Sequence, residues 1–337
     1  MYRLIIDNHI PYIDEYFKHH FIIQRYQHVD ELYANISHQD ILVCRSTMLV
    51  DEALLQHASL KIVATASSGT NHIHKKALKN KQIQFFSGHG ANANAVCDYV
   101  TSTIAYLLSQ HLLSKPKVAI IGYGAIGQKV YHRLHALGFK CGIYDPFIAN
   151  APDKIQHLEQ LHNFSIICLH PNYHKHPPYP SHHLINQKLI STLDRKVCII
   201  NAARGEVVDE NAILSSSFEG LYCTDVYLNE PNINPAIIAR STLCTPHIAG
   251  HSLDSKKRMT AIISQQIHRY LELPIPSHVE KIANQELIHI QQDWITHALK
   301  QYNPILETQQ LKQNPCADQF LALRKAHHFR FDFPWQF

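Results

Sequence analysis

Along the first third of the chain, short apolar runs recur between stretches whose apolar residues fall three or four apart. RLIID (3–7), DILVCRS (40–46), LKIVATA (60–66) and IQFFS (83–87) are rich in β-branched and aromatic residues and read as strands. DEALLQHA, between the second and third, has helical spacing and stops before the next run. Strands separated by helices predict a parallel sheet covered on both faces.

From residue 92 the period lengthens. NANAVCDYVTSTIAYLLSQHLL places Val96, Val100, Ile104, Leu107 and Leu108 along one helical stripe. A second alternating series follows: KVAII, KCGIY, SIICLH (165–170), KVCIIN (196–201), GLYCTDV (220–226) and STLCTPH (241–247). HSLDSKKRMTAIISQQIHRYLE then returns to a helical pattern. The fold class predicted is α/β, with two doubly wound parallel-sheet, Rossmann-like domains. The pattern assigns 1–94 and 253–274 to one domain and 95–252 to the other. After Pro274-Ile275-Pro276 a small C-terminal α+β domain (275–337) is expected. Its amphipathic pieces and aromatic end, FRFDFPWQF, leave apolar surface for a subunit contact, so a homodimer is expected.

A chain of 337 residues, 45% hydrophobic and 17% charged, is a globular protein too long for one ordinary domain. The net charge of +4 is spread without blocks, which argues against nucleic-acid or membrane-surface partners. No apolar run approaches about 20 residues, so no membrane span is expected, and the first apolar run is too short for a signal peptide. The eight cysteines are scattered, several within strand-like runs, and fit reduced thiols in a cytoplasmic protein better than disulfides. The 27 histidines include HKH at 174–176 and the pair His182 and His183, but no metal-ligand spacing, so no metal site is expected.

Lys117–Ile121 runs directly into Gly122-Tyr123-Gly124-Ala125-Ile126-Gly127 and a helix with apolar Val130, Leu134 and Leu137. A second strand ends at Asp145. The glycines allow a tight turn, close approach of backbone to a pyrophosphate, and helix–strand packing, while the helix N-terminus faces the phosphate charge. A carboxylate at Asp145 would accept the ribose hydroxyls. It would repel a 2′-phosphate, and Pro146-Phe147-Ile148 brings no Arg, so NAD is predicted over NADP.

Three polar residues follow strand ends in the second series: Arg204 after KVCIIN, Glu230 after GLYCTDV, and His247 after STLC. Ligands of open α/β sheets bind beyond the carboxyl ends of the strands, which puts all three on the edge that carries the glycine turn. Oxidation of a 2-hydroxy acid needs such a trio. A base (His247) takes the hydroxyl proton, a carboxylate (Glu230) orients the imidazole, and a guanidinium (Arg204) grips the planar carboxylate. Taken singly, each has a plainer reading: Arg204-Gly205 as a turn, Glu230-Pro231 as a solvated loop, His247 as a buried helix start.

IGYGAIGQKV, NAARGEVVDENAI, TDVYLNEP and TPHIAG, in this order, resemble the D-isomer-specific 2-hydroxyacid dehydrogenases. The resemblance implies that Arg204, Glu230 and His247 are catalytic. It implies NAD contacts from Gly122, Gly124, Ala125, Ile126, Gly127, Asp145, Ala202, Ala203, Asp225 and Gly250, with Asp225 at the nicotinamide amide. VCRSTMLVDEALL and ATASSGTNHI match the family's substrate loops, which implies substrate contacts from Ser46 and Ser67. The implied substrate is a phosphorylated 2-hydroxy acid; Arg45, Lys256 and Arg258 are candidate cations for its phosphate. The chain departs from the family pattern at Pro171, in place of a Thr near NAD, and at His251, in place of a substrate-facing Tyr. Two alternatives stay open: a sibling enzyme acting on 3-phosphoglycerate or hydroxypyruvate, and a non-catalytic NAD-binding scaffold.

Overall fold

The apolar runs form two parallel sheets in a computed structural model that describes residues 1–114, 116–215, 218–276, 288–289, 293–327 and 330–336. The described residues fall into two compact units. One comprises Met1–Asn92 with the described residues from Ser252 to 276; the other comprises Ala93–His251 with the described residues from 288 onward.

In the first unit β1 (Tyr2–Asp7), β2 (Phe21–Tyr26), β3 (Ile41–Cys44), β4 (Ile62–Thr65) and β5 (Gln84–Ser87) pair in the order β2-β1-β3-β4-β5, all parallel. β3 and β4 are buried at every position, which is why β3 reads as an unbroken apolar run and β4 as one broken only by its last residue, Thr65. β2 is the strand that the apolar pattern does not announce. It lies at the sheet edge, and its interior residues Ile22 to Arg25 are half-buried or exposed, so FIIQRY carries no clean period. The helix Leu253–Tyr270 packs on this unit, placing Ile263 and Ile267 against Leu4, Ile6 and Val43.

In the second unit β6 (Lys117–Ile121), β7 (Lys140–Tyr144), β8 (Ile166–Leu169), β9 (Cys198–Asn201), β10 (Leu221–Thr224) and β11 (Leu243–Cys244) pair in the order β11-β10-β9-β8-β6-β7, again all parallel. The strand order reverses between β6 and β8, and such a switch point opens a crevice at the carboxyl ends of the two strands. One face of the sheet packs against the helices Ala93–Ser109 and Ala125–Ala136, through Val100, Ile104, Val130 and Leu134.

The described C-terminal residues form the helices Trp294–Gln301, Ile305–Gln313 and Ala317–Ala326, and β12 (Ile288–His289) pairs with β13 (Trp335–Gln336). They build the same cores as the sheet. Ala298, Tyr302, Phe333 and Trp335 join the apolar cluster on one face, and Leu311 and Phe320 join the cluster on the other. The segment passes the two-residue edge strand β11, whose Cys244 amide donates to Thr308 Oγ1 at 3.0 Å. The expected α+β character is therefore mainly helical in the described residues. All eight cysteines are free thiols. No described helix is long and apolar enough to cross a membrane.

Candidate active site

The switch point is shaped by three glycines. Gly122 adopts φ +89°, and a Cβ there would meet the His170 carbonyl and Pro171 nitrogen at 2.8 Å, so only glycine fits between β6 and the end of β8. A Cβ on Gly127 would lie 1.9 Å from the Gly122 oxygen, which explains the close helix–strand packing. Gly124 differs: a Cβ there would meet nothing within 4 Å, so the turn is open toward the crevice. Gly124 also N-caps the helix Ala125–Ala136 without any side-chain cap, and this helix start can receive an anion. Asp145 follows β7 and closes the turn. Its Oδ2 accepts from the Tyr123 amide at 2.8 Å and its Oδ1 from the Phe147 amide at 3.0 Å, with acceptor capacity left for ribose hydroxyls. These features fit a dinucleotide with a free 2′-hydroxyl.

His170 has no assigned role in the sequence, where it only ends the run SIICLH before Pro171. It ends β8 beside Gly122, is buried, and neither ring nitrogen has a hydrogen-bond partner. Burial pulls its imidazole down to about 3, so it stays neutral in ordinary buffers. Its only advance signal was a polar residue at the end of an apolar strand.

At the end of β9, Asn201 folds the next loop: its Oδ1 accepts from the Ala203 amide at 3.1 Å and its Nδ2 donates to the Arg204 carbonyl at 3.0 Å. Asn201 was not singled out from sequence either. Ala202 and Ala203 are buried, and Arg204 Nη1 donates to the Ala203 carbonyl at 2.6 Å. Burial pulls the Arg204 guanidinium below its usual value, opposed by the charges of Glu230 and Glu206. A Cβ on Gly205 would lie 2.1 Å from the Tyr227 oxygen, so this glycine lets the Arg204 loop touch the loop that leads to Glu230. That second loop is also braced by a buried acid that the sequence reading passed over. Glu210 Oε1 accepts from the Leu228 amide at 3.0 Å.

Glu230 and His247 form a pair. His247 Nδ1 lies 2.6 Å from Glu230 Oε2, while Glu230 Oε1 accepts from the Tyr227 amide at 2.9 Å. Burial pushes the Glu230 carboxyl up, but the hydrogen bond and charge of His247, then the Tyr227 amide and the Arg324 charge, outweigh it and leave it below the usual value. An ionised carboxylate only accepts, so Nδ1 carries hydrogen and the lone pair of the neutral ring sits on Nε2. Asn229 and His247 both adopt φ 56°, a left-handed conformation unusual outside glycine.

Asp225, at the end of β10, holds the loop after β11. Its Oδ1 accepts from Thr245 Oγ1 at 2.7 Å and the Ile248 amide at 2.8 Å, and its Oδ2 from the Ala249 amide at 2.9 Å. The described bonds are thus those of a loop cap, and Oδ2 retains capacity for another donor. Burial pushes its carboxyl up to about 6, against the His247 charge, the two amides and the Thr245 hydroxyl. Its unfolded pKa is about 3.9, so the folded protein binds the extra proton between about pH 4 and 6. The Asp225 contribution is therefore largest below that window and falls as pH rises through it. The stability of wild type relative to Asp225→Asn should decline by roughly 2 kcal/mol from pH 4 to 6.5, one pKa unit being 1.36 kcal/mol. Urea unfolding of both proteins across that range measures it, and a flat difference would refute it.

His251 also lies in the second unit, with its ring centroid 6.2 Å from that of His327. Gly250 precedes it in the same loop. In the first unit, Ser67 Oγ donates to the Gly69 carbonyl at 2.8 Å, a local loop bond. Arg45 Nε pairs with the buried Asp7 at 2.8 Å, and Ser46 is its neighbour in the chain. Burial pulls the Lys256 ammonium down, and the Arg45 charge adds to it, so these two cations face one region. Arg258 Nε instead donates to the Ala91 carbonyl at 3.0 Å.

Residues 99–249 match the family model of the D-isomer specific 2-hydroxyacid dehydrogenase NAD binding domain. The chain is 41% identical to erythronate-4-phosphate dehydrogenase of Legionella pneumophila (strain Lens), over 99% of this chain and 96% of that one. It is 37% identical to the enzyme of the same name from Psychromonas ingrahamii, over 80% and 73%. Among solved structures, NAD⁺-bound 3-phosphoglycerate dehydrogenase of Entamoeba histolytica superposes with a TM-score of 0.69 at 21% identity, covering 85% of this chain and 99% of that one. D-lactate dehydrogenase of Aquifex aeolicus, in complex with NAD and lactic acid, superposes with a TM-score of 0.62 at 21% identity, covering 80% and 95%. With the glycine turn, Asp145 and the His247–Glu230 pair in place, this chain belongs to the D-isomer-specific 2-hydroxyacid dehydrogenases, as an NAD-dependent dehydrogenase.

Proposed function

We propose that the protein oxidises 4-phospho-D-erythronate to 2-oxo-3-hydroxy-4-phosphobutanoate, a step of pyridoxal 5′-phosphate synthesis. The observation that carries the chemistry is the 2.6 Å contact of His247 with Glu230, which engages Nδ1 and leaves Nε2 as the ring nitrogen turned away from the carboxylate. His247 Nε2 takes the C2 hydroxyl proton, and Glu230 stabilises the imidazolium that results. Arg204 holds the substrate carboxylate and polarises the C2 oxygen. NAD⁺, when bound, supplies the acceptor for the hydride that leaves C2. Gly122, Gly124, Ala125, Ile126 and Gly127 would hold its pyrophosphate, Asp145 its ribose, and Ala202, Ala203, Asp225 and Gly250 its nicotinamide end.

Support for a phosphorylated substrate comes from the name shared by the two relatives and from Arg45 and Lys256 in the first unit. Ser46, Ser67 and His251 are proposed as further substrate contacts. We place the enzyme in the cytoplasm as a homodimer. Leu306, Leu321 and Phe331, exposed at 62%, 48% and 47%, supply apolar surface on the C-terminal segment for that contact.

The test is a panel of D-2-hydroxy acids with and without a terminal phosphate, followed by NADH formation with a 2-oxo acid added to relieve product inhibition. The highest kcat/KM should fall on 4-phospho-D-erythronate. A higher value on 3-phosphoglycerate or on a non-phosphorylated acid would overturn the substrate assignment. No turnover of any acid would overturn the activity.

A further inference from the structure

The loop that carries His247 is held from two directions. Asp225 takes the Ile248 and Ala249 amides from the side of the sheet. The carbonyl of the same Ala249 is taken by Arg330, whose Nη2 donates to it at 2.9 Å and to the Ala95 carbonyl at 2.8 Å. Arg330 belongs to the C-terminal tail, and its side chain is 6% exposed. All of these residues lie in the second unit.

The tail itself is fastened where it makes this contact. Asp98, fully buried in the helix Ala93–Ser109, accepts from the Phe333 amide at 2.9 Å, pairs with Arg133, and lies 3.7 Å from Arg330 Nη1. Arg133 in turn sits over the rings of Phe333 and Trp335, at 5.8 and 5.3 Å from their centroids. The Arg330 guanidinium lies 4.8 Å from the Tyr302 ring centroid. The guanidinium therefore cannot shift without breaking several buried contacts, and its plane fixes the direction of the Ala249 carbonyl. Ala249 is two residues from His247, whose φ of 56° needs surrounding structure to persist.

We infer that the C-terminal tail is a clamp on the His247 loop and that Arg330 is its positioning residue. Arg330 acts through the Ala249 peptide rather than on substrate, and it sets the reach of His247 toward the C2 hydroxyl. The inference rests on the reading of His247 as the proton acceptor. It assigns the C-terminal segment a part in turnover that is independent of any subunit contact.

The test compares wild type, Arg330→Ala and Arg330→Lys by amide hydrogen exchange and by steady-state kinetics on the full chain. Arg330→Ala should raise exchange of the Ile248 and Ala249 amides about tenfold or more, while the amides of β8 and β9 keep wild-type protection. Its kcat should fall by about 10²-fold, the loss that a misplacement near 1 Å causes, with little change in the KM for NAD⁺. Arg330→Lys, which keeps the charge beside Asp98 but lacks the planar fork, should fall between the two in both readouts. If Arg330→Ala does not fold, the lysine variant carries both measurements. A folded variant with wild-type exchange at 248–249 would overturn the clamp. So would faster exchange with unchanged kcat, because the loop would then be held for stability alone. If wild type oxidises no 2-hydroxy acid, the catalytic reading fails, and the exchange arm still decides whether Arg330 holds the loop.

Discussion

Replacing His247 by Asn should lower kcat by about 10²–10⁴-fold, the usual worth of a positioned general base, while NAD⁺ still binds. Asn is the sharper substitution because it tolerates the left-handed backbone at this position, so the loop keeps its path and only the imidazole is lost. Glu230→Gln should also slow turnover, by removing the carboxylate that fixes the Nδ1 hydrogen and stabilises the imidazolium. The two residues act as one unit, so the double variant should be scarcely slower than His247→Asn alone. Steady-state kinetics on the three variants, with NAD⁺ affinity measured by calorimetry, gives the comparison. Wild-type-like turnover in His247→Asn would remove the proposed base, and additive losses would separate Glu230 from it.

The other large effect is expected at Arg204. Arg204→Lys should reduce kcat/KM by about 10²–10³-fold, the scale of losing one preorganised donor to a developing charge. The substitution keeps the formal charge but loses the planar fork that can hold a carboxylate through two parallel bonds. Burial compounds the loss. Desolvation already pulls the Arg204 guanidinium below its usual value, and the same surroundings would act on an ammonium whose intrinsic pKa is lower. The deficit should therefore grow as pH rises, whereas a residue of the turn alone would show no such trend. Kinetics of Arg204→Lys at pH 7 and 9 distinguish the two.

Much of this arrangement was legible from local pattern. Fully buried strands such as β3 and β8 are apolar at every position, so their runs stand out, and polar residues beyond the ends of such runs stand out against them. That contrast is what exposed Arg204, Glu230 and His247. β2 gave no such contrast because an edge strand alternates between partial burial and water. Asn201 bonds backbone groups two and three residues on and shows in the sequence only as the last residue of β9. Glu210 was missed for another reason. It acts on a backbone amide 18 residues away, in a loop that approaches across the sheet edge, and no spacing along the chain encodes that approach. The same holds for Arg330, which meets Ala249 only after the whole second sheet has been laid down. Gly205 was visible as a letter, but its reason, a backbone contact with Tyr227, was not.

The positive φ angles at Asn229 and His247 bear on how this protein can change over generations. Asn, Asp, His and Gly are the residues that enter that conformation most readily. A lineage released from selection for turnover would still meet the backbone as a filter at both positions, and β-branched replacements there would be removed as folding defects. His247 is thus a residue that the main chain and the proton transfer favour together. Inactive descendants of this fold should carry Asn, Asp or Gly at position 247 more often than Ala, Val or Leu.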